Sequence, residues 1–128
     1  MPDFEESIEP ANVAVLDENY LRHWEISIGE EAMSAFIAEL IAEFHATYTP
    51  RIQELQELCQ SDAQDELIPL VHYLKGSLGN LGISRASAYA RQVEVELRMG
   101  NFTRHENFAQ RLDEHVQQGL RELGARYA

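Results

Sequence analysis

The sequence predicts an all-α chain, an antiparallel up-down-up-down four-helix bundle with a short additional N-terminal helix. Apolar residues recur at helical spacing almost throughout. Glycine and proline together number only eleven in 128 residues, too few for a many-turned β protein. Hydrophobic residues make up 45% and charged residues 25%, which is enough for one core in a domain that buries roughly two thirds of its unfolded surface.

Residues 1–15 read as a flexible leader, and 16–128 as the bundle domain. Asp17 is placed to cap a short helix over about 18–27 that stops at Gly29. A long helix follows, with Met33, Phe36, Ile37, Leu40, Phe44, Tyr48, Ile52, Leu55 and Cys59 on one stripe. Pro50 lies inside it and is expected to kink or split it. Ser61-Asp62 is the expected cap of a helix over about 63–81, closed by Gly82. Ser84 is the expected cap of a helix over about 85–99, with Ala86, Tyr89, Val93 and Leu97 inward and Gly100-Asn101 as the stop. Thr103 and Glu106 have capping-box spacing ahead of a last helix carrying Phe108, Leu112, Val116, Leu120 and Leu123. The short connections among the last three helices make neighbours antiparallel.

The net charge of −12 disfavours nucleic acid or an anionic membrane as partner. It is unevenly spread. Residues 1–71 hold 16 acids and two bases, while residues 72–128 hold six acids and eight bases. Nine of the ten cations are arginine, and the one lysine is Lys75. The single cysteine, Cys59, excludes an internal disulfide and fits a reducing compartment. No apolar run approaches the roughly 20 residues that span a bilayer, and Met1 to Glu6 is acidic, unlike a signal peptide. The expected setting is cytoplasmic.

The third helix carries the chemistry. At about 100° per residue, Leu67, Leu70, Val71, Leu74, Leu78 and Leu81 form its core stripe. His72, Gly76 and Gly79 fall on the opposite, solvent side, with Lys75 at the flank one turn from His72. Each glycine costs roughly 1 kcal/mol against alanine in a helix interior. Glycines turned away from the core are not explained by helix packing, which leaves close approach of an outside partner beside His72. An imidazole is mostly a neutral nucleophile at pH 7, with Nε2 as its outer nitrogen, and an ammonium one turn away stabilises charge on a transferring phosphoryl group. Ser77 falls toward the bundle, where its hydroxyl can bond a carbonyl of the preceding turn. His23, His45, His105 and His115 have no paired metal spacing and read as surface or rim residues.

The run His72-Tyr73-Leu74-Lys75-Gly76-Ser77, with Leu81-Gly82 closing the helix, resembles the signature of histidine phosphotransfer (HPt) domains of multistep phosphorelays. That resemblance implies a four-helix bundle in which His72 accepts phosphate from a receiver-domain aspartate and passes it to another receiver. Lys75 would steady the phosphoryl group and Gly76 would give the receiver clearance. Ile68, Tyr73, Gly79 and Arg98 would supply docking surface. The family often places an amide or basic side chain on the fourth helix near the histidine; the comparable positions here are Glu94 and Arg98, with Arg91 on the same face. Val71 stands where the family usually has a small residue, and Pro69 lies three residues before the histidine. Pro69 either kinks the helix or delays its start.

The implied partners are response-regulator receiver domains and a hybrid sensor histidine kinase, with no nucleic acid and no membrane, and the protein is expected to be a monomer. No cofactor is expected, since the Mg²⁺ of the reaction belongs to the receiver. Nothing resembles an ATP-binding glycine box, so the chain reads as a phosphoryl carrier and not as a kinase. The alternative is a phosphate-independent helical module that sequesters a receiver domain or kinase. An enzyme using His72 as general base is less favoured, because an exposed helix face is a poor water-excluding pocket.

Overall fold

Asp17 sets the first helix: its carboxylate accepts from the Tyr20 backbone N–H at 3.1 Å, satisfying one of the donors a helix start leaves free. In the computed structural model, which describes residues 12–61, 64–100 and 105–128, this helix is α1, Glu18–Ile28. It stops at Gly29, whose φ of 93° suits a residue without a side chain. There follow α2 (Glu30–Gln60), α3 (Gln64–Asn80), α4 (Ser84–Arg98) and α5 (His105–Arg126), with no strand among the described residues. Each of these helices packs on its predecessor, α5 also packs on α2, and α1 lies against α2. The chain is an all-α helical bundle.

The stripes read from the sequence meet in one core. Ile37, Leu55, Leu67, Leu78, Val93, Phe108 and Leu123 are almost fully buried within it, and Phe36, Leu40 and Cys59 lie at its edge, half-buried. Pro50 does not split α2, which is helical from Glu30 to Gln60. The lost hydrogen bond costs about 3 kcal/mol or more. Phe44, Tyr48, Ile52 and Leu55 are buried on both sides of it, each worth roughly 1.5–3 kcal/mol, so burial wins. Pro69 likewise sits inside α3 and neither delays its start nor ends it.

The turn from α3 to α4 is a Schellman closure. Gly82 adopts a φ of 75°, its N–H reaches Gly79 O at 3.0 Å, and the Ile83 N–H reaches back to Leu78 O at 3.1 Å. The segment before α1 is tied to this turn. Asp17 N–H donates to Gly82 O at 2.8 Å, Ser84 Oγ to Ala14 O at 2.7 Å, and Arg85 Nε to Val13 O at 2.8 Å.

Two expected caps are therefore corrected. The Ser84 hydroxyl is engaged by Ala14, and Ile83 is the N-cap of α4 without a side-chain bond. Ser61 ends α2 and bonds backward to Leu58 O at 3.3 Å; its companion Asp62 lies outside the described residues. The expected leader is held from residue 13 onward by these bonds, and residues 1–11 lie outside the described residues, as do Asn101, Thr103 and the side chain of Glu106.

On the far side, α5 approaches the α4 start so closely that a Cβ on Gly119 would overlap Ile83 Cγ2. Ile83 is fully buried and acts as a peg in the gap that Gly119 leaves.

Candidate functional site

Burial of Val71, Leu74 and Leu78 fixes the rotation of α3, and the same constraint from Ala90, Val93 and Leu97 fixes α4. With both helices phased on the core, the side chain of His72 is 60% exposed, while Glu94 comes up between the helices and is only 7% exposed.

Glu94 is the centre of the arrangement. Its Oε2 lies 3.0 Å from His72 Nδ1, and accepts from Arg98 Nε at 2.9 Å and Nη2 at 2.8 Å. Its Oε1 lies 2.9 Å from Lys75 Nζ. Burial alone would raise the pKa of this carboxyl, but the hydrogen bonds from Lys75, Arg98 and His72, with the Lys75 charge, outweigh it and lower it from 4.5 to about 2. Glu94 is thus ionised at any ordinary pH and can only accept. The atom facing it on His72 must then carry a proton, which assigns Nδ1–H to the ring and leaves the lone pair of the neutral imidazole on Nε2, turned away from Glu94. That assignment follows from the acceptor-only carboxylate.

Lys75, at the flank one turn from His72, binds Glu94, and the two side chains meet through the shared carboxylate. Its side chain is 29% exposed and that of Arg98 57%, so both cations border solvent beside the ring. Counting Glu94, Lys75 and Arg98, the site carries one net positive charge with the imidazole neutral.

The glycines differ. A Cβ at Gly76 would meet nothing within 4 Å, so that position is open. A Cβ at Gly79 would lie 3.5 Å from Ser87 Oγ, so Gly79, exposed and turned away from the core as expected, stands at the border with α4. Ser87 donates to Lys75 O at 3.1 Å and pins α4 to α3 one turn from the site. Tyr73 is 45% exposed, with the Arg51 guanidinium 5.4 Å from its ring centroid. Ile68 is only partly exposed and packs against the core. Arg91 is exposed and lines a cleft of about 230 Å³ with Gly79, Ser84 and Ser87.

Ser87 was not singled out in the sequence, and Glu94 was named there only as standing at a position where the family often has an amide or basic side chain, not as a partner of His72 and Lys75. The spacing of Glu94 to Arg98 was a visible i,i+4 signal, but the register of α4 on α3 was not. Of the other histidines, His23 and His45 are exposed. His115 is partly buried with its ring 5.2 Å from that of Tyr89, and burial, with Arg85 and Arg111 nearby, lowers its pKa. The side chain of His105 lies outside the described residues. Among the described residues, no group of three or more His, Cys, Asp or Glu is arranged to hold a metal ion, and no helix is long and apolar enough to cross a membrane.

A family model described as the Hpt domain matches residues 39–123, a span that begins within α2 and ends within α5. No curated protein and no solved structure matches the chain.

Proposed function

Because the chain belongs to the Hpt domain family, a family of phosphocarriers in two-component signalling, we propose that His72 accepts a phosphoryl group from a receiver-domain aspartate and passes it to a second receiver in a multistep relay. The observation that carries this reading is the pairing of His72 Nδ1 with an ionised, buried Glu94 at 3.0 Å, which leaves Nε2 as an exposed nucleophile. In the transfer, the Nε2 lone pair forms the bond to phosphorus as the aspartyl O–P bond breaks, and the electron pair stays on the aspartate carboxylate. Lys75 and Arg98 border the ring and stabilise charge on the phosphoryl oxygens. Gly76 keeps a partner's backbone from meeting a side chain one turn from His72.

The partners on this reading are receiver domains and a hybrid histidine kinase, with Mg²⁺ held by the receiver. The protein acts in the cytoplasm as a carrier without kinase activity. A monomer suffices: of the exposed large apolar residues among those described, Ile26, Tyr73 and Val95 lie on three different helices and Met99 just past the end of α4.

The test is transfer of labelled phosphate from a phosphorylated receiver domain to the wild-type protein and to His72→Gln. The expected result is acid-labile, alkali-stable label on the wild type and none on the variant, with unchanged thermal unfolding. Receivers that bind without transferring label would favour sequestration instead.

A further inference from the structure

We propose that α1, with the segment from Val13 that precedes it, exchanges between two copies of this chain, so that each bundle of a dimer is capped by the other copy's α1. The proposal goes beyond the carrier reading and stands independently of it. A single residue joins α1 to α2. Gly29 follows Ile28 and precedes Glu30, and its φ of 93° and ψ of 145° lie in a region of backbone space that is essentially restricted to glycine. A corner this short either turns, as here, or straightens into one helix from Glu18 to Gln60. Short connectors favour exchange of the element they carry, because every contact of that element is remade on the second copy.

The contacts to be remade are specific. Leu21 is fully buried, the Trp24 ring stacks on that of Phe36 with centroids 5.4 Å apart, and the Tyr20 hydroxyl donates to Asn80 O at 3.0 Å. The preceding segment is bonded to Gly82, Ser84 and Arg85. At the end of α5, Arg126 donates to Glu18 and Tyr127 to Glu25, each at 2.6 Å. An 11-residue helix is too short to persist alone in water, so an α1 that leaves its own bundle must be taken up by another.

Helical phase sets the direction of the exchange. At about 100° per residue, a straight helix through Gly29 puts Ile26 within about 20° of Met33, Ile37 and Phe44, which belong to the buried stripe of α2. Ile26 is 76% exposed in the turned form, and in the straight form it joins an apolar stripe. Leu21, Trp24 and Ile28, the inward side of α1, then fall on the opposite side. The straightened helix therefore keeps its own bundle on one side and offers α1 to a second bundle on the other. The exchange also reaches the surroundings of the functional site. Asp17 lines the cleft of about 230 Å³ with Gly79, Ser87 and Arg91, so in the dimer each cleft takes its Asp17 wall from the other copy.

The test is the mass of the protein in solution. The wild type is expected to be monomeric at about 10 µM and, after refolding from urea at about 1 mM, to contain a dimer that returns to monomer on dilution. Gly29→Ala penalises the turned corner and favours the straight helix, and is expected to lower the dimer dissociation constant by about a hundredfold or more. Dimers refolded from equal parts of isotope-labelled and unlabelled chains are expected to show a nuclear Overhauser contact between Trp24 of one chain and Phe36 of the other. A wild type with no dimer at about 1 mM overturns the proposal. So does a dimer whose Trp24–Phe36 contact stays within one chain, or an alanine variant that folds and dimerises no better than the wild type. If the alanine variant does not fold, the wild type decides: a dimer with the cross-chain contact supports the exchange, and any other result overturns it.

Discussion

The α2–α5 side and the α3–α4 side of the bundle each carry an acidic side chain that bridges two helices. Between α2 and α5, Tyr48 donates to Asp113 Oδ1 at 2.7 Å. Burial, then the hydrogen bond to Asp113 and its charge, push the phenol's pKa up, so the donor stays neutral and no reactive atom remains free. Between α3 and α4, Glu94 gathers two permanent cations and an imidazole, and the last of these keeps a second nitrogen turned to solvent. The first contact is closed on itself and only holds helices together. The second is open on one side, and that open side is where chemistry can enter. The difference lies in the partner: a phenol has one polar atom to give, and an imidazole keeps a second.

Lowering the pH should separate the two bridges most strongly. Glu94 has a folded-state pKa below its ordinary value, so its stabilisation is complete above about pH 4.5 and disappears as pH falls toward 2. The shift corresponds to on the order of 3 kcal/mol. Urea unfolding at stepped pH should show the wild type losing about that much relative to Glu94→Gln between those limits. Equal acid sensitivity in both proteins would mean that the hub contributes no net charge stabilisation.

Removing the phenolic hydroxyl gives the next largest effect. Tyr48→Phe breaks the buried bond but leaves Asp113 a second donor, Gln117 Nε2 at 3.3 Å, so a loss of about 1 kcal/mol is expected by chemical denaturation. Phosphate acceptance by His72 should be unaffected. A fall in acceptance would show that the two sides of the bundle are coupled.

The smallest effect sharpens the contrast most. Gly76→Ala adds a methyl group to open space in a helix interior and should stabilise the protein by about 0.5–1 kcal/mol. On the proposed carrier reading the same methyl stands where a partner approaches, so phosphate acceptance should slow while thermal unfolding moves upward. An alanine variant as fast as the wild type would remove clearance as the reason for a glycine there.

The sequence was informative wherever one helix decided the outcome. The wheel for residues 67–81 placed six apolar residues inward and His72 outward, and the structure has them so, because a helix that buries one stripe has no freedom to turn. The Asp17 cap was equally legible, since its partner is three residues away. What failed depended on elements remote in sequence. Ser84 had the right chemistry and position for a cap, but Ala14 O competes for its hydroxyl from 70 residues away. Pro50 signalled a kink or a split, and burial on both sides of it kept the helix from splitting. Glu94 is the clearest case: it lies 22 residues from His72, and only the register of α4 on α3 turns an odd surface acid into the group that sets the imidazole's tautomer.

The contact of Gly119 with Ile83 limits the order in which this sequence can change. Any side chain at position 119 collides with the isoleucine, and a smaller residue at 83 alone opens a void where the peg was. Neither step is neutral by itself, but trimming 83 first makes room that an alanine at 119 can then fill. The two positions, 36 apart in the chain, therefore share one mutational history, and the path through it runs in one direction only.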